Sequence, residues 1–407
     1  MRPTRVKETL ESRMAVGPMT GFDWLRIVLA TGVMLWHAIG LATGDPSIEA
    51  GLWARWWHFV PAAILPMFFA LSGFLVSGSL ERETLPRFAM LRVLRLVPAL
   101  AVEVALVALG IGLLFTTLPV GRYLTDPMFY AYFLNVIGWI HFSLPGLFAH
   151  NPGGSLVNAQ LWTVPYELEC YIVLVIMAAT GIVRRHRLLF AIAIVAAALV
   201  LQASALAEHS GIMFGHVFGR KLVMAFLAGT LLFRFRDVVP YSPMLGIGSV
   251  LATCALFSDT RLAYLGAFPL AYATVWVGMM RPPRIALGDL SYGVFLFHYP
   301  VEQSIVQMLP WVRSWTALTA LAVPVVFCCA WLSWTLVERP VLRRKAAIID
   351  ATLRGVGAAW AVAGGLLTSS IPSGIAALRP VASSSTRNHL SVLQRGHSSN
   401  GPAPKIK

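Results

Sequence analysis

Long apolar stretches recur along most of this chain and constrain its fold more than any motif does. Each is about 20 residues long, the length of helix that crosses a hydrocarbon core of about 30 Å. Hydrophobic residues make up 57% of the sequence and charged residues only 12%. A backbone in lipid must satisfy its own hydrogen bonds, and the short alternating segments of a barrel are missing. The sequence therefore predicts an all-α fold, a polytopic transmembrane helical bundle.

About ten of these stretches are predicted to span the membrane: 22–43, 60–80, 93–117, 161–181, 188–207, 219–234, 242–258, 262–280, 288–308 and 315–337. The charges of the loops decide whether a further apolar stretch, 128–148, also crosses the membrane. If it does not cross, 19 basic residues share one side of the membrane: Arg2, Arg5, Lys7, Arg13, Arg82, Arg87, Arg92, Arg95, Arg184, Arg185, Arg187, Arg234, Arg236, Arg281, Arg284, Arg339, Arg343, Arg344 and Lys345. The opposite side then holds six: Arg55, Arg122, Arg220, Lys221, Arg261 and Arg313. Cytoplasmic loops carry the excess of Lys and Arg, so we predict that both termini are cytoplasmic and that 118–160 is an extracytoplasmic excursion.

Composition divides the chain into four parts. Residues 1–20 are predicted to be a cytoplasmic leader, and 21–345 form the transmembrane domain. The segment 346–379 is weakly apolar and either crosses the membrane or lies on its surface. Residues 380–407 are rich in Ser, Asn, Pro and basic residues and are predicted to be a disordered tail.

The net charge of +14 is explained by the cytoplasmic loops, so no nucleic-acid partner is predicted. The cysteines all lie in apolar stretches without metal-ligand spacing, and we expect small core residues rather than disulfides or metal ligands. They are Cys170, Cys254, Cys328 and Cys329. No metal is predicted.

Ionisable residues inside membrane spans are costly and often functional. In the first span, Arg26 and His37 are 11 residues apart, which places them on one helix face about 16 Å apart along the axis. Asp23 precedes Arg26 by one turn and could orient its guanidinium. The alternative is a satisfied buried histidine with an arginine that reaches the interface, and the pattern alone favours neither.

Other charged residues are candidates for binding. Arg92 and Arg95 lie one turn apart at the start of a span, and paired guanidiniums suit phosphate groups. Glu167 and Tyr171 share a helix face in the fourth span, whereas Glu169 is rotated away; an acid near a helix start is also favoured simply by the helix dipole. His298 and Glu302 are similarly spaced in the ninth span, where a packed histidine is nearly as plausible as a functional one. Glu103 has no evident partner.

Six short segments follow one another in order: FDWLRIVLATGVMLWH, LPMFFALSGFLVSG, RVLRLVPA, LWTVPYELECY, LSYGVFLFHYPV and VERPVLRR. Together they resemble the acyltransferase-3 family of membrane acyltransferases, over residues 20–345. That family includes bacterial enzymes that O-acetylate lipopolysaccharide, peptidoglycan, nodulation factors and exopolysaccharide. The resemblance implies a stand-alone member, without the fused extracytoplasmic domain that some relatives carry.

The resemblance also implies roles for particular residues. Arg26 and His37 match the family's essential Arg and His, with His37 as base or acyl-handling group. Arg92 and Arg95 match a cytoplasmic pair that holds the donor. Glu167 matches the acid of the fourth segment, and its expected catalytic role is to steady the His37 imidazolium or to position the acceptor.

These roles imply an enzyme of the bacterial inner membrane that moves an acyl group, expected to be acetyl, from acetyl-CoA or another short acyl-CoA to a sugar hydroxyl. The expected partners are therefore acyl-CoA, a carbohydrate or glycolipid acceptor, and membrane lipid. The competing class is a transporter or flippase, although inverted repeats are not visible in the sequence.

Overall fold

The computed structural model describes residues 8–207, 216–285 and 287–355. Ten helices of at least 15 residues occur in this part of the chain, and we number them in chain order. They are α1 Gly21–Thr43, α2 Phe59–Arg82, α3 Leu85–Leu106, α4 Val164–Ala179, α5 Arg187–Ala207, α6 His216–Arg234, α7 Pro243–Phe257, α8 Ala263–Gly278, α9 Ser291–Met308 and α10 Trp315–Ser333. Each coincides with one predicted span, and the described residues form no β-strand.

Six helical segments are long and apolar enough to cross a membrane: Gly21–Thr43, Phe59–Arg82, Leu85–Phe115, Ala159–Ala179, Arg187–Ala207 and Trp315–Arg343. The other four long helices are shorter or more polar. The chain is therefore a multi-pass membrane protein, and its described part is all-helical with six candidate spans. The count of ten and the orientation of the termini stay predictions. Within 128–148, helical structure ends at Ile137. The apolar stretch Pro127–Ile137 rises only about 16 Å, roughly half of a hydrocarbon core.

Short helices and wide turns connect these elements. The short α-helices are Leu10–Ala15, Pro46–Trp53, Gly112–Phe115, Val120–Thr125, Pro127–Tyr132, Ile182–Arg185 and Arg339–Arg343, and the 3₁₀ turns are Phe133–Ile137, Ala159–Thr163 and Thr260–Leu262. Wide π-type turns continue α3 over Val107–Ile111 and α10 over Trp334–Glu338. Such turns often occur at functional sites, and the second one ends at the acidic residue Glu338.

Met1–Leu353 form one compact unit, which contains all ten long helices. The described end of the predicted leader belongs to the bundle, because Leu10 is fully buried and its amide donates to the Val239 carbonyl at 2.9 Å. Arg354–Lys407 form a second unit. The predicted disordered tail 380–407 and the part of 346–379 beyond residue 355 lie outside the described residues.

Helix α1 is central and packs against α2, α8, α9 and α10. Helices α2 and α6 cross closely, because two glycines let their backbones touch. A Cβ on Gly73 would lie 2.0 Å from the Phe226 carbonyl oxygen, and one on Gly229 would lie 2.0 Å from that of Ala70. Gly73 is the first of two glycines in the family-like segment LPMFFALSGFLVSG, so this glycine of the segment serves close helix packing.

The cysteines are free thiols, as expected. Cys170 is buried in the core, but Cys328 is exposed on α10, so the prediction that all four are core residues is wrong for Cys328. Its surface is apolar, with Leu321, Val325 and Leu332 also exposed on α10. A helix bounded by lipid on one side can expose such side chains without cost.

Candidate active site

Two histidines from distant parts of the chain meet between α1 and α9. Nδ1 of His37 lies 2.8 Å from Nε2 of His298, and the two rings are nearly parallel, with 7° between their planes. The ring of Tyr299 packs edge-on against His37, at 5.2 Å between centroids. His298 itself is fully buried.

The backbone of α9 fixes the tautomers of this pair. Nδ1 of His298 lies 2.8 Å from the Phe295 carbonyl oxygen and 3.2 Å from that of Val294. A carbonyl oxygen only accepts, so Nδ1 of His298 carries the proton and Nε2 of the neutral ring is an acceptor. Nδ1 of His37 must therefore donate to His298, which leaves the lone pair of a neutral His37 on Nε2. That atom has no hydrogen-bond partner among the described residues.

His37 lines a cavity of about 290 Å³. Three tryptophans, Trp36, Trp53 and Trp162, contribute to its wall, together with the polar side chains of Glu49 and Gln160. Flat aromatic rings beside hydrogen-bonding groups are suited to a ligand with apolar faces and polar edges. His37, whose Nε2 has no hydrogen-bond partner among the described residues, therefore borders this cavity.

A larger cavity of about 560 Å³ lies toward the Arg26 end of the bundle. Its basic lining residues are Arg26, Arg82, Arg92, Arg95 and Lys345. Glu83, Glu167, Ser72 and Ser79 also line it. The excess of cationic groups makes this cavity suited to an anionic ligand.

Arg95 is held by two carboxylates and is not free to bind a ligand in this state. Its Nη2 lies 2.6 Å from Asp289 Oδ2, and its Nη1 lies 2.9 Å from Glu338 Oε2. Nη1 of Arg26 lies 3.3 Å from the same Asp289 oxygen. The same Nη1 lies 3.8 Å from Asp23 Oδ1, in agreement with the one-turn spacing of the two residues in the sequence. The wide turn Trp334–Glu338 presents Glu338 to this network, where Ser333 donates to it at 3.3 Å.

Asp289 lies in the loop before α9 and connects both arginines. Burial would raise the pKa of its carboxyl group, but Arg95 and Arg26 and the hydrogen bonds from Ser291 outweigh burial and lower that pKa below its usual value. The Ser291 hydroxyl donates to Asp289 Oδ1 at 2.6 Å. Asp289 is therefore ionised at neutral pH and fixes Arg26 and Arg95 relative to each other.

Arg92 differs from its neighbour Arg95. Within the described part of the chain it forms no ion pair, and its buried Nε has no hydrogen-bond partner. Its guanidinium lies over the rings of Phe88, at 5.6 Å, and Tyr171, at 6.0 Å. Arg82 and Lys345 also form no ion pair with any described residue. These three cations on the wall of the larger cavity are thus available to a ligand.

Glu167 lines the larger cavity and not the cavity of His37. The hydroxyl of Tyr171 donates to its Oε1 at 2.5 Å, which agrees with the shared face predicted from their spacing, and Glu169 is exposed. The interpretation that Glu167 steadies the His37 ring does not match this arrangement, because His298 is the partner of His37. Glu167 instead lies among the arginines.

Further polar groups hold the walls in place. Pro300 has no N–H to bond the Leu296 carbonyl, and Gln160 Nε2 donates to that oxygen instead, at 2.7 Å. Glu103, unexplained from the sequence, accepts from Asn158 Nδ2 at 2.8 Å, and Asn158 also bonds Tyr132. These bonds attach the excursion between α3 and α4 to the bundle.

The sequence model of a family described as an acyltransferase domain matches residues 19–335. The chain belongs to the acyltransferase-3 family. Two relatives match over most of their length. Nodulation protein 10 of Rhizobium leguminosarum bv. viciae is 28% identical over 365 residues, covering 82% of this chain and 96% of the relative. An O-acetyl transferase of Shigella phage Sf6 is 24% identical over 349 residues, covering 80% of this chain and 96% of the relative. No solved structure matches.

As an acyltransferase-3 member, the chain is an enzyme that transfers acyl groups. The predicted site residues fall into two groups. His37 lines the smaller cavity, and the larger cavity is lined by the others: Arg26, Arg92, Arg95 and Glu167. Sequence reasoning missed Asp289, Glu338 and Gln160 altogether. A buried arginine needs a carboxylate, so the search for partners of Arg95 in the late segments would have pointed to Asp289 and Glu338.

Proposed function

We propose that this acyltransferase moves an acetyl group from cytoplasmic acetyl-CoA, or another short acyl-CoA, to a hydroxyl of a sugar-containing acceptor. The observation that carries the proposal is the pair of adjacent cavities: a cationic one suited to the coenzyme and an aromatic one that contains His37. The O-acetyl transferase named among the relatives supports acetyl as the transferred group. Exopolysaccharide, lipopolysaccharide and lipo-oligosaccharide are the acceptor classes that the proposal covers.

The donor would enter the larger cavity from the Arg26 end. Arg92, Arg82 and Lys345 would contact its phosphates, since charge-assisted hydrogen bonds to phosphate are strong. Arg95 and Arg26, fixed by Asp289, would define the cavity wall rather than bind the phosphates directly. The acceptor would enter the smaller cavity, where the tryptophans stack on the sugar ring and Glu49 and Gln160 bond its hydroxyls.

In the transfer step, Nε2 of His37 takes the proton from the acceptor hydroxyl as the oxygen attacks the thioester carbonyl carbon. The carbon–sulfur bond then breaks, and the thiolate of coenzyme A leaves and takes the proton from His37. His298 acts as a positioning residue, because it accepts from Nδ1 of His37 throughout. Direct attack of Nε2 on the thioester, with a transient acyl-imidazole, is the second route that this geometry allows.

The proposed enzyme is a multi-pass protein of the bacterial inner membrane, with the Arg26 end of α1 facing the cytoplasm. The segregation of basic residues among the loops supports this orientation. It puts the cationic cavity on the side where acyl-CoA is available. The aromatic cavity then faces the side where surface polysaccharides are exposed.

The test uses the full-length protein in lipid nanodiscs with radiolabelled acetyl-CoA and a panel of oligosaccharide acceptors. Wild type should release coenzyme A and label an acceptor, and His37→Ala should do neither. His150→Ala, which changes an exposed loop histidine, is the matched control and should behave as wild type. Normal transfer by His37→Ala would overturn the mechanism. Failure of wild type to bind or cleave any acyl-CoA would favour the transporter alternative.

A further inference from the structure

The two cavities share three lining residues that come from three separate elements. Leu65 comes from α2, Thr163 from the turn Ala159–Thr163 and Phe295 from α9. Among the described residues, no other side chain lines both cavities. These three side chains, which we call the shared wall, therefore form the boundary that any group passing from one cavity to the other must contact.

The shared wall differs in chemistry from the cavities on either side. The larger cavity is lined by basic groups, and the smaller one by tryptophans and His37, whereas the wall carries no charge. Leu65 packs against one large apolar cluster of the bundle and Phe295 against the other. Close-packed side chains of this kind resist changes of volume as small as one methylene group.

Phe295 is also tied to the histidine pair. Its carbonyl oxygen accepts from Nδ1 of His298, and its ring lies 6.1 Å from the His298 ring between centroids. The shared wall is thus positioned relative to Nε2 of His37. If coenzyme A fills the larger cavity and the acceptor hydroxyl lies beside His37, the thioester carbonyl must lie at this wall. Any carbons beyond that carbonyl must then fit against Leu65 and Phe295.

We propose that Leu65 and Phe295, with Thr163, select the length of the transferred acyl chain. This inference rests on the proposed function and extends it to specificity. The wall leaves space for a short acyl group at the reacting position and excludes longer ones by contact. Each extra methylene group that does not fit is expected to lower kcat/KM by about tenfold or more. Smaller side chains at the wall should therefore admit propionyl and butyryl groups.

The experiment compares acetyl-, propionyl- and butyryl-CoA with wild type, Leu65→Ala and Phe295→Leu in nanodiscs. Release of coenzyme A is measured for each donor, together with the increase in Tm that each donor produces. Leu75→Ala is the matched control, because Leu75 is also a leucine of α2 but lines only the larger cavity. The ratio of butyryl to acetyl turnover should rise at least about tenfold in both wall variants and stay at the wild-type value in Leu75→Ala.

Each result separates the two proposals. An unchanged ratio in both wall variants, with wild type active on acetyl-CoA, would overturn the selector while leaving the acyltransferase mechanism intact. An equal rise in Leu75→Ala would also overturn it, because general loosening of α2 would then explain the effect. If wild type neither binds nor cleaves any acyl-CoA, the proposed function itself fails and the selector fails with it.

Discussion

Nδ1 of His37 and Nε2 of His298 are 2.8 Å apart, although the two residues are 261 positions apart in the chain. Because backbone carbonyls of α9 accept hydrogen bonds from the Nδ1–H of His298, the pair has one arrangement of protons when both rings are neutral. That arrangement leaves the lone pair of His37 on Nε2. A base at this position is therefore oriented by a second histidine, where many hydrolytic sites use a carboxylate.

The first prediction concerns this positioning role of His298. His298→Ala removes the acceptor for the His37 N–H and should lower kcat by roughly 10²–10⁴, because the wrong tautomer or ring orientation disables the base. His298→Gln keeps an amide oxygen that can accept and an amide N–H that can donate, and should restore part of the rate. The measurement is kcat for coenzyme A release as a function of pH. Equal losses in the Ala and Gln variants, with no change in the pH profile, would contradict the positioning role.

The positions of the long helices could be predicted from sequence because hydropathy is a local property. Each of the ten predicted spans coincides with a helix, and the stretch 128–148 lacks a helix of spanning length, as the loop charges suggested. The one-face spacing of Glu167 and Tyr171 also appears as a direct hydrogen bond. Periodicity along one helix determines such pairs without reference to the rest of the molecule.

The contacts between helices could not be predicted in the same way. Arg95 and Glu338 are 243 residues apart, and no pattern in either segment specifies the other. The sequence therefore grouped Arg92 with Arg95 as equivalent phosphate ligands, whereas ion pairs with Asp289 and Glu338 hold Arg95. For the same reason the sequence offers Glu167 as a group that steadies His37 or positions the acceptor, whereas the side chain that contacts His37 Nδ1 is His298. His298 was noticed but could not be distinguished from a packed core histidine.

A second prediction separates the two arginines. Arg92→Ala should raise the KM for acyl-CoA by about tenfold or more, since a charge-assisted hydrogen bond contributes about 1.5–3 kcal/mol, while the Tm changes little.

Arg95→Ala, in contrast, leaves Asp289 and Glu338 without their partner and should mainly lower the free energy of unfolding. The loss should fall below the about 3–5 kcal/mol of a fully buried pair, because the Arg95 side chain is 23% exposed. Steady-state kinetics and thermal unfolding of both variants check this. A large Tm loss in Arg92→Ala alone would contradict it.

A third prediction concerns acid sensitivity. The pKa of Asp289 is lower in the folded protein than its ordinary value of about 3.9. Its ionised form therefore contributes stability that is fully present above pH 4 and is lost as pH falls through the folded pKa. Asp289→Asn should lower the Tm at pH 7, and the difference from wild type should shrink steadily below about pH 4. Thermal unfolding between pH 3 and pH 7 measures this, and a difference that does not depend on pH would show that the charge of Asp289 is not the cause.

The last prediction tests whether Gly73, the first glycine of the segment LPMFFALSGFLVSG, serves packing. Gly73→Ala puts a Cβ 2.0 Å from the Phe226 carbonyl oxygen, so α2 and α6 must separate. We expect the free energy of unfolding to fall by about 1–3 kcal/mol, as for other overpacked interfaces. Gly248→Ala in α7 is the matched control, because a Cβ there meets no atom within 4 Å and alanine favours the helix. Thermal unfolding in one detergent should show a lower Tm for Gly73→Ala and an equal or higher Tm for Gly248→Ala.

Because Ser72 and Val76 of the same helix as Gly73 line the larger cavity, separation of α2 from α6 should also weaken acyl-CoA binding. Unchanged stability together with lost turnover would instead assign Gly73 a direct role at the donor cavity.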